Sequence, residues 1–314
     1  LYEFLKYGWH VLEPGTPYTE NWHTRVVADF VQGILEDWEA GRCTNQDNVI
    51  NVPPGTMKSL IVSVFAPAWM WLRAPHWRAV YASANPRVAL RDSVKCRDLI
   101  ESDWYQRSFK PPWRLAVDQN AKGEYKNTAG GFRQAVSVGQ KIVGVRADFL
   151  GVDDPLDPTD AESNSKSARE ATLFWWDHAF YNRVNDAQRS KRLTIMQRLH
   201  EDDLTGHLKR AGKARFLILP MEFDPKRADP LDQRTKPGEL LFPARFPEAV
   251  LADERRRLGS WGYAGQMQQD PFPADGGMFP PAWWKWWSVG DQRVAAPRPE
   301  GCNSLAPRRL PADL

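Results

Sequence analysis

The sequence predicts an α/β protein built on a largely parallel sheet, and three observations carry that prediction. Strand-like and helix-like stretches alternate from residue 48 to residue 220, the pattern of strands joined by crossover helices. A short apolar strand (NVINV, 48–52) runs into Pro53-Pro54-Gly55-Thr56-Met57-Lys58-Ser59 and then an apolar stretch suited to a helix. A second apolar strand, 147–152, stops directly at Asp153-Asp154-Pro155.

Residues 1–20 hold aromatic anchors (Tyr2, Phe4, Trp9) and a turn-rich Glu13–Pro17 segment. Val26, Val27, Phe30, Ile34 and Trp38 recur at helical spacing and predict a helix over 22–39, with Gly41 as its stop. The stretch 60–72 reads as a helix against the sheet that Pro67 can kink. Strand 77–83 and helix 86–100 follow, the latter burying Leu90, Val94 and Leu99. Residues 103–131 read as irregular or β-rich, and 132–138 as a strand. A helix is expected over 163–185 with Ala171, Phe174, Trp175 and His178 on one side. Strand 191–197, a short helix 204–211 and strand 214–220 complete the alternation. Beyond Pro220 the composition turns Pro- and charge-rich before helical stretches at 247–258 and 262–269. The organisation predicted is an N-terminal helical region (1–45), a core (46–220), a small mainly helical lid or linker (221–290) and a flexible or truncated tail (291–314).

The chain has 314 residues, 42% apolar and 26% charged, with a net charge of +3. That profile suits a soluble globular protein and excludes a disordered chain. No apolar run approaches the roughly 18 residues of a membrane-spanning helix, and no membrane partner is expected. The three cysteines, Cys43, Cys96 and Cys302, are far apart and offer neither a disulfide framework nor a zinc knuckle, consistent with a reducing cytoplasm. Leu1 stands where an initiator Met is usual, and the opening residues lack a secretory pattern.

A tight loop at a helix N-terminus presents backbone N–H groups and the positive end of the helix dipole, both favourable to phosphate. Lys58 can meet β- and γ-phosphates and the Ser59 hydroxyl can ligate Mg²⁺. The loop departs from the usual pattern, with Val52 at the first Gly position and Met57 before the lysine. Such a loop has to avoid, at Met57, a backbone conformation reserved for Gly. A Pro-Gly turn with a solvated lysine would read the same. The acidic pair supports the phosphate reading: Asp153 suits a Mg²⁺ anchor, and Asp154 suits the base that prepares the attacking water. An Asp-Asp-Pro cap is the plainer alternative.

Together, LYEFLKYGWHVLEPGTPY, NVPPGTMKSL, VYASANPRVALRDSVKCRDLI, NTAGGFRQAVSVG, VRADFLGVDDPLD, IMQRLHEDDLTGHL and GYAGQMQQDPFPADGGMF resemble, in order over roughly residues 1–287, the ATPase half of the large terminase subunit of tailed double-stranded DNA phages and prophages. The resemblance implies an ASCE-type, RecA-like P-loop NTPase core with a lid. It implies ATP and Mg²⁺ as cofactors, and ATP hydrolysis driving double-stranded DNA into a procapsid. Pro54, Gly55, Thr56, Met57, Lys58 and Ser59 would then cradle the nucleotide, with Trp22 and His23 at its adenine side. Gln197 and Arg198 would couple phosphate loss to movement. An arginine from a neighbouring subunit, Arg146 or alternatively Arg133, would neutralise transition-state charge, although either could equally make a surface salt bridge.

Implied partners are duplex DNA, the portal protein, the small terminase subunit and further copies of the chain in a ring. The implied place is the host cytoplasm, transiently at the portal vertex. The nuclease half of such a subunit would begin after Gly276–Phe279; too few residues follow for it, so no endonuclease activity is expected. Arg189, Lys191, Arg192 and Arg255–Arg257 offer positive charge to a DNA backbone, and the Trp283–Trp287 cluster could dock the nuclease half or equally fold back over the lid. The run His200-Glu201-Asp202-Asp203 fits a helix cap better than a metal site. Two other readings stand beside the motor: a RecA-like helicase or remodeller, and a degenerate, non-catalytic portal-docking module.

Overall fold

The computed structural model describes residues 1–43, 46–158 and 165–272. The tryptophan cluster at 283–287, the 276–279 segment, Cys302 and the 291–314 tail lie outside the described residues, as does the last part of the expected lid.

Eight strands form one sheet: β1 (Asp47–Asn51), β2 (Arg78–Ser83), β3 (Leu115–Asn120), β4 (Glu124–Asn127), β5 (Phe132–Ser137), β6 (Phe149–Asp153), β7 (Lys191–Met196) and β8 (Ala214–Ile218), in the order β3-β4-β5-β2-β6-β7-β1-β8. The run β5-β2-β6-β7-β1-β8 is parallel throughout, and β3 and β4 add an antiparallel hairpin at the β5 edge. β7 therefore separates the strand that feeds the phosphate-type loop from the strand that ends in the aspartates. This is the order of an ASCE-type P-loop NTPase core. In register, Asp153 lies beside Ile195, and Asn51 beside Met196, so the ends of β6, β7 and β1 finish together.

The central strands are buried on both faces, as parallel strands between helices must be. Ile50, Tyr81, Phe149 and Ile195 face one cluster; Val49, Val80, Leu150 and Met196 face the other. The first cluster takes α1 (Tyr2–Leu12), α2 (Trp22–Glu39), α3 (Ala66–Arg73), α4 (Pro86–Glu101) and α5 (Asp103–Phe109). The second takes α6 (Lys166–Trp175) and α7 (Leu204–Ala211). The chain leaving β1 thus packs on one face and the chain leaving β7 on the other. The crevice between them is a topological switch point, where open α/β sheets bind ligands.

Several expectations need correcting. Residues 2–12 are helical, since Leu1, Leu5 and Gly8 share a face and the aromatic anchors ride on it. Part of the supposedly irregular 103–131 segment is α5, capped by the Ser102 hydroxyl. The apolar stretch after Ser59 opens with a π-helical turn, Leu60–Phe65, before Pro67 starts α3 from an early position where no N–H is needed. On α6 and the π-helical turn that continues it, Phe174 and His178 are exposed and stack on each other, while Trp175, Trp176 and Phe180 fill the core. In α4 the buried positions include Leu99, but Leu90 is 40% exposed.

The segment after Pro220 returns to the first cluster through Met221, Leu241, Leu251, Tyr263 and Met267. Its helix α8 (Glu248–Gln266) is interrupted at Gly259, whose φ of 66° divides it into the two expected stretches.

Candidate active site

The loop 53–59 climbs from β1 and is held from beneath. Thr56 Oγ1 donates to the Pro53 carbonyl at 2.7 Å, and His23 Nε2 lies 3.3 Å from the Thr56 carbonyl. Gly55 adopts φ 74° and Met57 φ 63°. Met57 therefore takes the left-handed backbone that the sequence reading expected it to avoid. That conformation costs an ordinary L-residue roughly 1–2 kcal/mol; the Met57 side chain packs against the core in return.

Lys58 is 5% exposed, and its Nζ donates to Asp154 Oδ1 at 2.9 Å across the end of β7. Asp154 also accepts the Gln197 backbone N–H at 3.1 Å, and it holds φ 43°, another left-handed position. Strain of this kind at a ligand-facing residue persists only where the surroundings fix it. Here the fixing contacts are Lys58, the Gln197 amide and the Ile195 carbonyl, which accepts the Asp154 N–H at 2.9 Å.

Asp153 is buried, and its Oδ1 has no hydrogen-bond partner. Its Oδ2 has a long contact from the Ser63 hydroxyl, 3.4 Å. Burial, with Asp154 alongside, pushes its carboxyl up to about 7, against the pull of Lys58 and Ser59. A buried carboxylate oxygen without a donor is costly unless a cation or donor completes it. The set fits a Mg²⁺ ion, which needs one or two carboxylates and a hydroxyl beside substrate phosphates rather than a full protein cage. Asp153 and Ser59 would hold it. Among the described residues no group of three or more His, Cys, Asp or Glu could bind a metal by itself, and the 200–203 run is indeed a cap, with Asp203 accepting from the Gly206 N–H.

Gly55, Met57, Lys58, Ser59 and Asp154 line one cleft of about 330 Å³, while the buried Asp153 is not part of its lining. Two cations unforeseen in the sequence, Arg91 and Lys95, border it from α4. Their i, i+4 spacing on one helix face was the available signal. Ser63, one turn after Ser59, could have been found in the same way.

Other expected site residues fall differently. His23 is fully buried, in contact with Asn21, Thr56 and Phe242. Burial draws its imidazole down to about 4, so at neutral pH it is an uncharged prop for the loop, not a reader of a base. Trp22 is half-buried under the Arg234 guanidinium. Gln197 reaches the site through its amide, and its side-chain Oε1 is buried without a partner. The Arg198 guanidinium is bound to both oxygens of Asp203, 3.0 and 2.7 Å, so it does not enter the cleft. Its backbone N–H instead meets Gln269 at 3.0 Å, which ties the end of β7 to the segment beyond α8.

Arg133 is 1% exposed, donates to the Ser63 carbonyl at 2.9 Å and lies over the Tyr81 ring. A side chain enclosed in this way cannot reach into a neighbouring subunit. Arg146 is exposed and precedes β6, so it sits at the opposite end of that strand from Asp153. Of the residues considered for DNA contact, Lys191 and Arg192 are buried, and Arg192 is paired with Asp47 at 2.7 Å. Arg189 lies over Trp38, and Arg255, Arg256 and Arg257 are ion-paired to acids within or beside α8. Among the described residues, no helix is long and apolar enough to cross a membrane.

No family model and no curated protein matches the chain. Solved structures do. One is the large terminase from a thermophilic bacteriophage, with 10% identity and a TM-score of 0.44 over 76% of this chain and 52% of that one. Another is the HK97 bacteriophage large terminase, with 13% identity and a TM-score of 0.40 over 71% and 45%. A third is the large terminase ATPase domain of Thermus phage P74-26, with 10% identity and a TM-score of 0.45 over 84% and 97%. The chain spans about half the length of the thermophilic phage protein it matches.

Proposed function

We propose that the chain is a Mg²⁺-ATP hydrolase, the motor subunit that drives double-stranded viral DNA into a procapsid. The observation that carries the hydrolase part is that Lys58, Ser59 and Asp154 line one cleft, from segments about 95 residues apart in sequence, with Asp153 buried next to Asp154. The motor part rests on the ordered sequence resemblance set out above.

In this reading the loop N–H groups and Lys58 bind the phosphate chain. A bound Mg²⁺ would neutralise charge on the phosphate oxygens. Lys58, once drawn to phosphate, releases Asp154 Oδ1, which then orients water and accepts its proton. The Gln197 amide keeps that carboxylate in place, so a change at Asp154 is felt directly at the end of β7 and, through Arg198 and Gln269, beyond α8.

Arg146, exposed at the end of β6 away from the chain's own cleft, suits a head-to-tail ring in which each subunit completes its neighbour's site. The partners in this reading are duplex DNA, the portal protein, the small terminase subunit and further copies of the chain, at the portal vertex in the host cytoplasm.

The test is phosphate release by the isolated chain and by the chain assembled with portal and duplex DNA. Lys58→Ala should weaken binding of an ATP analogue by at least about tenfold, the loss of a charge-assisted contact. Asp154→Asn should largely spare binding and cut hydrolysis by about 10²–10⁴-fold. Arg146→Ala should reduce only the assembled rate. A wild-type chain that binds no analogue with Mg²⁺, and is indistinguishable from Lys58→Ala, would refute the hydrolase.

A further inference from the structure

Four cationic side chains stand around the phosphate-type loop, and three of them already touch a carboxylate. Lys58 meets Asp154, Arg91 meets Asp92 at 2.8 Å, and Lys95 meets Glu13 at 2.8 Å. The fourth, Arg245, is exposed and has no carboxylate partner among the described residues. It belongs to the chain that returns over the loop after β8. A tight turn places it there, its backbone N–H meeting the Phe242 carbonyl at 3.1 Å.

Its position is defined from the loop side. A Cβ built on Gly55 would lie 3.3 Å from Arg245 Nε and 2.9 Å from the Phe246 ring. Gly55 thus has two reasons to lack a side chain, its φ of 74° and the close approach of this turn. Arg245 also lines a second cleft, about 210 Å³, with Trp9, Pro17, Thr19 and Phe242. Met57 is common to both clefts, and Arg245 reaches the loop of the first through its approach to Gly55.

We infer that Arg245 is a binding residue for the phosphate chain of a nucleoside di- or triphosphate, supplied by the segment that returns over the loop. This rests on the nucleotide-hydrolase reading and adds a contact to it. An exposed guanidinium without a carboxylate partner among the described residues, beside the loop that carries Lys58, suits bidentate phosphate binding. The same contact ties nucleotide occupancy to the position of the 242–246 turn. That turn is anchored in the body of the protein by the Leu241 carbonyl, which accepts from Asn21 at 2.8 Å.

The experiment measures binding of ADP, a non-hydrolysable ATP analogue and inorganic triphosphate, each with Mg²⁺, to the full chain and to Arg245→Ala and Arg245→Lys. Arg245→Ala should weaken all three ligands by about tenfold or more, with Arg245→Lys recovering part of the loss. The ligand-free melting temperature should stay within about 2 °C, because the side chain is exposed and pairs with no acid. Equal binding by wild type and Arg245→Ala overturns the inference and leaves the hydrolase reading intact. A loss confined to the nucleotides, with triphosphate unaffected, assigns Arg245 to the base and overturns it too. Failure of the wild type to bind any of the three takes both readings down.

Discussion

The two ends of β6 both carry an aspartate, and the fold treats them in opposite ways. At the start, Asp148 is satisfied on both oxygens: Oδ2 accepts the Arg78 N–H at 3.0 Å with the Arg78 guanidinium 3.6 Å away, and Oδ1 accepts from Asn185 at 2.8 Å. At the finish, Asp153 has one oxygen without a donor and a like charge as its neighbour. The same residue type is a structural clasp at one end of the strand and an unmet ligand at the other. Burial alone does not mark the functional carboxylate, since both are buried. What marks it is the hydrogen bonding left undone.

The sharpest way to break this comparison is to make both carboxylates neutral. Asp153→Asn should lower Mg²⁺-dependent hydrolysis by about 10²-fold or more, because the metal-side ligand is lost. It should not destabilise the ligand-free protein, since it removes a buried charge that nothing there compensates. Hydrolysis rates over a Mg²⁺ titration, with denaturant midpoints, check both halves. A stable Asp153→Asn protein with full activity would strip Asp153 of its role.

Asp148→Asn should do the reverse. It weakens two charge-assisted bonds and one ion pair, so a loss of about 2 kcal/mol of stability is expected. Nucleotide binding, at the other end of β6, should be unchanged. Chemical denaturation alongside analogue binding measures this pair. Loss of binding without loss of stability would mean that the two ends are not separable.

The sequence exposed the satisfied and the unsatisfied parts unequally. The β1–loop–helix and β6–Asp-Asp patterns were legible because a strand period of two and a helix period of 3.6 survive in the residue order. Lys58, Ser59, Asp153 and Asp154 followed from those patterns. The arginines were not legible, because an arginine string carries no sign of what it faces. Arg133, Arg192 and Arg198 read as reaching side chains, yet each is enclosed and pairs inward. His23 misled for the same reason: its neighbours Thr56 and Phe242 are distant in sequence, and only the folded chain shows that it supports the loop from below. Helix α1 was obscured by the eye-catching aromatics and turn residues around it. Arg245 had no signal at all, being a loop residue placed by a turn.

The pH dependence of stability in the ligand-free wild type should be weak, because two shifted groups oppose each other. Asp153 is raised to about 7 from an unfolded value of roughly 4. Between those values the folded chain retains a proton that the unfolded chain has lost, so this group makes stability fall as pH rises. His23 is lowered to about 4 from roughly 6.5. Over that window the unfolded chain holds the extra proton, so His23 makes stability rise with pH. Each slope approaches about 1.4 kcal/mol per pH unit at most, and across most of the window the two nearly cancel. Asp153→Asn removes only the falling component. Its stability minus that of the wild type should therefore grow as pH rises from about 4 to 7 and level off above that. Denaturation midpoints without added metal, at half-unit pH steps, read that difference. A flat difference would show that Asp153 is already charged in the folded chain, and its end of β6 would then be no less satisfied than the end that holds Asp148.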